Sequence, residues 1–512
     1  MKNKLLYSLL IVILCCHSFQ TKAQEKLNTI KKYVHENEHQ ILNSFRELLS
    51  IPNIAADMPN INKNANWIAN YMRLNEINNV QLLTPNAAAF PPVVYGEVLT
   101  PNATETIIFY AHYDGQPVDS TKWFKGLHPF KPTLYTGVYE NGSTLINDLN
   151  ESKALDPNWR LYARGASDDK GGVMAIINAI AAIRSTHNTP SVNIKFFFEG
   201  EEEAGSTHLE EILEKYKPLL KANMWVICDG PVHQTGKKQI VFGVRGDTHM
   251  ELTIFGPKRP LHSGHYGNWV LNPGMELARL LASMKNEAGD ITIKDFYSDV
   301  VPLTVAEKEA LSKIPAVEDQ MKSELGIKLT ERQMPLNDAL NLPTLNINGI
   351  QSAGVGKLSA NVIPTKAIAS LDLRLVVGND WRRQQNKVIE HIKSKGFYVT
   401  NKEPTEEERK LYDKICMVNT SDGYNAQKTP LDNPFAKRIS TAVALVSNEP
   451  PVLQPTLGGS LPLFVFEKVL NTKPITVPIA NHDNNQHAEN ENIKLKNFFE
   501  GIQLFASIMM LK

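Results

Sequence analysis

Apolar and polar positions alternate with two different periods along this chain, and the change of period separates two kinds of structure. From Glu25 to Leu49, Leu27, Ile30, Val34, Ile41, Leu42, Phe45, Leu48 and Leu49 recur at helical spacing, and Ile51-Pro52 predicts the stop. Thr106-Ile107-Ile108-Phe109-Tyr110, Asn193 to Phe198, and Trp225-Val226-Ile227-Cys228 are short apolar runs suited to buried strands. Gly171 to Ile183 reads as a helix between them. Strands alternating with helices predict an α/β core on a mainly parallel sheet. After Arg245-Gly246 the rhythm changes. Met250 to Phe255 and Ala369 to Leu375 alternate as half-exposed strands. Helices are expected after Asn272-Pro273-Gly274 and from Trp381 to Ile392, which predicts a smaller α+β sheet domain. From about Asn433 a long apolar helix, a Gly-rich loop and the strand Ile475-Thr476-Val477 return to the first pattern, so the smaller domain is read as an insertion.

Length supports that division, because 512 residues exceed what one hydrophobic core serves. Lys+Arg and Asp+Glu are equal at 54 each, which gives no electrostatic reason to expect a nucleic acid or an anionic membrane as partner. The N-terminus departs from the rest. Lys2 and Lys4 precede an apolar run from Leu5 to Cys16, and Thr21-Lys22-Ala23 closes a polar stretch. This is the layout of a secretory signal cut after Ala23, and its apolar run is short for a membrane span. An exported protein, periplasmic or secreted, with no stable membrane span after signal removal is therefore expected. Cys228 and Cys416 then remain, and their apolar or mixed contexts predict two buried thiols with no disulfide framework.

Polar residues cluster where the core strands end, which is where open α/β sheets place their sites. The first strand runs into His112-Tyr113-Asp114, the second into Glu199-Gly200-Glu201-Glu202-Glu203, the third into Asp229, and the last leads to His482 and His487. Between them, Arg164 to Gly172 is a polar loop opening a helix and carries Asp168-Asp169. Imidazole with several carboxylates is a donor set for zinc, manganese or cobalt, whereas calcium or magnesium seldom recruits histidine. His112 and Asp114 point the same way on an extended chain, so Asp114 is placed to hold the second ring nitrogen of His112. Taken singly, each feature has a plain structural reading: an Asp pair before a helix caps it, and an acidic run lies on a solvated face. Their convergence on one sheet edge is what points to chemistry.

Seven stretches together resemble the M20 family of metallopeptidases, most of all its carnosinase-type dipeptidase branch. They are Ala111 to Pro117, Ala163 to Gly172, Phe198 to Ser206, Leu261-His262-Ser263-Gly264, Asn361-Val362-Ile363-Pro364, Leu457-Gly458-Gly459-Ser460 and His487-Ala488-Glu489-Asn490-Glu491. The resemblance implies a zinc-peptidase catalytic domain with a mixed, mainly parallel sheet in residues 24–246 and 431–512. It also implies an inserted α+β ferredoxin-like lid and dimerisation domain in residues 247–430, and so a homodimer through that lid. Two divalent cations, zinc first with manganese or cobalt as alternatives, would activate a water against the amide bond of a small peptide. By the same resemblance Asp168 bridges the cations, His112 and Asp229 complete one site, and Glu203 and His487 the other. Glu202 is the general base and Asp114 orients His112. His262, Asn361, Arg374, Gly459 and Ser460 match groups that receive the substrate.

Two positions stay open at this level. A shift of one residue inside the acidic run would move the base to Glu201, and His482 competes with His487, which is preferred for the Glu489-Asn490-Glu491 that follows it. The stretch Tyr135 to Trp159 separates two of the motifs and is expected to form an extra loop near the site mouth. An N-acyl-amino-acid deacylase with the same cations fits the motifs nearly as well. An exported binding protein without catalysis fits them less, because the full set of ligands and base is present.

Overall fold

Eight strands form the central sheet of the first of two compact units. In a computed structural model that describes residues 23–85, 90–147, 149 and 153–511, this unit comprises the described residues up to Phe242, those of Thr429–Gln454 and those from Val465 on. Across the sheet the strands run Asn78–Leu83, Val93–Val98, Asn193–Glu199, Thr106–His112, Met224–Ile227, Ile475–Thr476, Gln239–Val241 and Val452–Gln454. The central four are mutually parallel, and the other pairings are antiparallel except for the outermost, Gln239–Val241 with Val452–Gln454. Parallel strands must be covered on both faces, which is why they read as continuous apolar runs. Helix Lys170–Ser185 is buried along most of its length and packs against helix Leu495–Met509.

The expected N-terminal helix is divided at Asn37, whose backbone leaves the helical region while its side chain donates to Tyr33 O at 2.8 Å. Helical residues 23–36 precede it and Glu38–Leu49 follows. The secretory-signal reading falls on residues outside those described, Ala23 excepted. Among the described residues no helix is long and apolar enough to cross a membrane. Cys228 and Cys416 are both buried free thiols.

The extra loop differs from its expected place. Thr133–Tyr135, Arg160–Tyr162 and Asn492–Lys494 form a small antiparallel sheet that closes its base. Its far limb packs away from the sheet edge: Leu155 is buried, its N–H donates to the Glu38 carboxylate, and Lys153 O lies 2.7 Å from His39 Nε2. Apolar Ile146, Leu149, Leu155 and Trp159 join the main core, so burial near the N-terminal helices wins over a free position at the mouth.

The second unit holds Gly243–Lys428 and Pro455–Phe464. It carries a seven-stranded sheet in which Thr344–Gln351, Lys366–Leu375, Gly243–Phe255, Ile415–Thr420 and Tyr398–Thr400 are neighbours in that order. Helices Pro273–Ala282 and Trp381–Ser394 pack on it through Leu277, Leu280, Leu281, Val388 and Ile392. The unit begins at Gly243, a little ahead of the expected 247, because its long strand starts there. Residues 455–464, expected in the second part of the catalytic domain, also belong here. Leu457 and Ser460 pair in parallel with Val244 and Arg245 of that strand, and sheet hydrogen bonding decides the allegiance of the segment.

Phe45 and Phe498, stacked at 4.6 Å and fully buried, join the N-terminal and C-terminal helices of the first unit. Phe45→Ala should cost about 3–5 kcal/mol of stability, read as a lower urea midpoint of the metal-free protein.

Candidate functional site

The central parallel strands of the first unit all end at one edge, and the residues that follow them converge there. His112 closes its strand opposite Glu199 of the next, is wholly buried, and has Nδ1 3.2 Å from Asp114 O and 3.4 Å from Asp114 Oδ1. Its Nε2 lies 3.0 Å from Asp168 Oδ1 and 3.8 Å from Glu202 Oε2. Asp114 has a second duty that its spacing did not reveal. Its carboxylate accepts the backbone N–H of Glu202 at 3.1 Å and of Glu203 at 2.9 Å, so one buried residue orients both the imidazole and the acidic loop.

The acidic run is sorted by these bonds. Glu201 turns away and binds His208, whose Nδ1 lies 2.9 Å from Oε2 and whose N–H donates to the same oxygen at 3.1 Å. Glu202 faces His112, while Glu203 lies 3.3 Å from His487 Nε2 and accepts from Gln116 Nε2 at 2.7 Å. His487 Nε2 stands 3.1 Å from Asp168 Oδ2. His482 is exposed and is placed electrostatically beside His233. Two groups of possible ligand atoms result, His112 with Asp168 and Asp229, and Asp168 with Glu203 and His487, the atoms of each within 4.8 Å of one another. They share Asp168.

The electrostatics fit divalent cations. Burial, then the neighbouring Asp168, pushes Glu203 up to about 8 and Asp229 up to about 6. Glu202 is also held well above the usual carboxylate range, by burial first and then by Asp229 and Asp168 against the opposing pull of His112. Burial opposes charge on Asp168 as well, but its bonds to His112 and His487 outweigh that and hold it below the usual range. Carboxylates that repel one another in a dry pocket, with imidazoles interleaved, form a donor set that positive charge would neutralise.

The remaining candidates lie in the second unit. His262 and Asn361 are exposed neighbours, since Leu261–His262 pairs with Val362–Ile363 and Ser263 N donates to Asn361 O. Arg374 is elsewhere on the same unit, its Nη1 3.5 Å from Asp247 Oδ2 and its Nε 3.2 Å from Asp372. Gly459 and Ser460 sit on the short strand beside Arg245, where Ser460 Oγ donates to Gly246 O at 3.4 Å. In the sequence Arg245 marks only a boundary. It is buried and bonded to Leu342 O at 2.8 Å, and burial and then Arg374 lower its guanidinium to about 10. Asp247, His249 and Asp372 form a third group of ligand type, but the Arg374 guanidinium already supplies positive charge to both carboxylates.

Residues 108–511 match the family model described as Peptidase family M20/M25/M40. The chain is 27% identical to the human Beta-Ala-His dipeptidase over 437 residues, 84% of this chain and 79% of that protein. It is 28% identical to the Cys-Gly metallodipeptidase DUG1 of Saccharomyces cerevisiae over 434 residues, 83% of each. A solved M20 family metallo-carboxypeptidase, Sso-CP2 of Sulfolobus solfataricus, superposes with a TM-score of 0.73 at 28% identity, covering 92% of this chain and 98% of that one.

Protons and cations compete for these carboxylates, and the sign follows from the raised values. As pH rises through the range set by Asp229 at about 6 and Glu203 at about 8, the ligands lose protons, so cation affinity should climb. Below that range each binding event should release protons, which calorimetry in buffers of different ionisation enthalpy would detect.

Proposed function

The chain belongs to peptidase family M20/M25/M40, and from that premise we propose that it is a dipeptidase that hydrolyses the amide bond of short unblocked peptides with two divalent cations, zinc first. The observation that carries this reading is the pair of ligand groups joined at Asp168, with Glu202 beside them. The names of its relatives, a Beta-Ala-His and a Cys-Gly dipeptidase, support small dipeptides as the substrate class.

His112, Asp168 and Asp229 would hold one cation and Asp168, Glu203 and His487 the other. Cations bound there supply Lewis acidity toward the scissile carbonyl and lower the pKa of the attacking water. Glu202 takes the proton of that water as its oxygen attacks the carbonyl carbon. It then gives the proton to the amide nitrogen, which departs as an amine. Burial of Glu202 raises its affinity for the proton it must keep between the two transfers. Asp114 keeps base and imidazole in register, because it bonds the backbone of the acidic loop and faces His112 Nδ1. Among the candidates in the second unit, His262 would help hold the substrate carbonyl, and Asn361, Arg374, Gly459 and Ser460 would receive the substrate's C-terminal part. A guanidinium is suited to a carboxylate through a bidentate fork.

We also read the protein as exported, on its N-terminal pattern, and as a homodimer through the inserted unit. Exposed Ile347 and Ile350 on the edge strand Thr344–Gln351 support an interface there.

Glu202→Gln should lower kcat about 10²–10⁴-fold while cations still bind, whereas Glu201→Gln should leave most of the turnover. Stopped-flow turnover with parallel metal analysis checks both, and a fully active Glu202→Gln variant would remove the base assignment. The substrate class is tested by stripping the protein with chelator and assaying dipeptides beside N-acetyl amino acids, with and without added zinc or manganese. Restored cleavage of the free dipeptides is expected. Cleavage of the acylated amino acids alone would make it a deacylase, and cleavage of neither a binding protein.

A further inference from the structure

Glu491 is completely buried, and neither ligand group nor base contains it. Its carboxylate nevertheless accepts five hydrogen bonds: from Arg164 Nη1 at 2.8 Å, Gly165 N at 3.0 Å, Ser167 N at 2.9 Å, Ser167 Oγ at 2.9 Å and Asp168 N at 3.0 Å. Every donor lies on the loop that delivers Asp168. Glu491 itself follows His487 on the other ligand loop, 323 residues further along the chain than Asp168.

Backbone pairing makes this meeting specific. Asn492–Lys494 runs antiparallel to Arg160–Tyr162 with Asn492 opposite Tyr162, and Ala163 N donates to Glu491 O at 3.1 Å. The next residues of both strands are the two loops, so the register of the small sheet decides which side chain faces 164–168. Arg164 adds a bond from Nη2 to Ala488 O at 3.0 Å, inside the His487 loop. That loop needs an external hold. Asn485, His487 and Asn490 all have left-handed backbone angles, with φ of 56°, 63° and 63°.

We propose that Glu491 is a positioning residue that sets Asp168 and His487 together, so that one carboxylate which touches no cation governs the affinity of both cation sites. This rests on the two-cation reading above. The chemistry is that of a charged acceptor in a dry pocket: bonds from N–H and guanidinium donors to a carboxylate are short and strong, and their angles leave the loop little freedom. The charge of Glu491 is matched by Arg164 at 2.8 Å, so the bonds order the site without adding to the repulsion among its ligands. The bond to Asp168 N fixes the main chain at the residue that belongs to both ligand groups. Ligand partners of this kind commonly change metal affinity by 10–100-fold when lost.

The test titrates metal-free wild type, Glu491→Gln and Ser167→Ala with Co²⁺ against a competing chelator. Cobalt absorption is the readout, and the melting of each metal-free protein is the control for folding. Glu491→Gln is expected to melt as a folded protein yet to lose about tenfold or more in affinity at both sites, with an altered cobalt spectrum. Ser167→Ala removes one hydroxyl donor and no charge, and should lose a smaller, measurable factor at both. A Glu491→Gln protein that binds two Co²⁺ with wild-type affinity and spectrum overturns the proposal, as does a loss confined to one site. Should Glu491→Gln fail to fold, Ser167→Ala decides, and an unchanged titration overturns the proposal. Folded wild type that takes up fewer than two Co²⁺ would instead remove the two-cation reading, and the role of Glu491 with it.

Discussion

Concentrated negative charge in a dry place is the constraint around which the first unit is arranged. Asp114, Asp168, Asp169 and Asp229 are buried around His112, and Glu202 and Glu203 lean on the same pocket. Each carboxylate would rather face water, and each raises the proton affinity of its neighbours. The chain meets this with hydrogen bonds from groups already fixed. Asp114 takes two loop N–H groups, Asp169 takes Gly172 N at the start of a helix, and Asp168 faces two imidazoles. What these bonds leave unneutralised is the share that positive ions would supply.

Such a pocket needs a rigid floor, and the parallel sheet provides one. Strands carrying Phe196, Phe198, Ile107, Phe109 and Val226 on one face and Phe197, Ile108 and Trp225 on the other are buried on both sides, so the strand ends are fixed by packing and not by the polar residues themselves. Close approach at the edge is permitted by small residues. A side chain at Gly172 would meet Asp169 Oδ1 at 2.2 Å and Cys228 Sγ at 2.7 Å, and one at Gly200 would meet the Tyr113 hydroxyl at 2.3 Å. The glycines beside the charged motifs are therefore part of the same constraint.

Local pattern made the strands legible, and strand ends made most of the polar residues legible, because apolar period and strand termination are properties of neighbouring residues. The helix over 170–185 and the strands ending at His112 and Glu199 lie within a few residues of where the sequence puts them. What escaped depends on residues far apart in the chain. Which of Glu201 and Glu202 faces His112 follows from His208, which claims Glu201. The far limb of the 135–159 loop follows from Glu38 and His39, more than a hundred positions away. The allegiance of residues 455–464 follows from a strand pairing that no periodicity announces. Glu491 stood in a motif as one letter among five, and only the pairing of Asn492 with Tyr162 gives its carboxylate a direction.

The second unit answers a related electrostatic problem with the opposite sign. Arg374 lies close enough to Arg245 to oppose its charge, and burial already weakens the hold of Arg245 on its proton. Asp247 and Asp372 sit against Arg374 on paired strands, with Arg374 opposite Asp247 and Asp372 opposite His249 in the register. A cation held by two carboxylates cannot rotate freely, so its remaining N–H groups keep a fixed direction. The cost is that the same carboxylates compete with any anion that approaches. Burial raises the proton affinity of Asp247, and Arg374 opposes that rise. The alternation along Lys366–Leu375 that marks this strand puts Asp372 and Arg374 on one face, and the register sets Asp247 opposite Arg374, so strand pairing holds the guanidinium against both carboxylates.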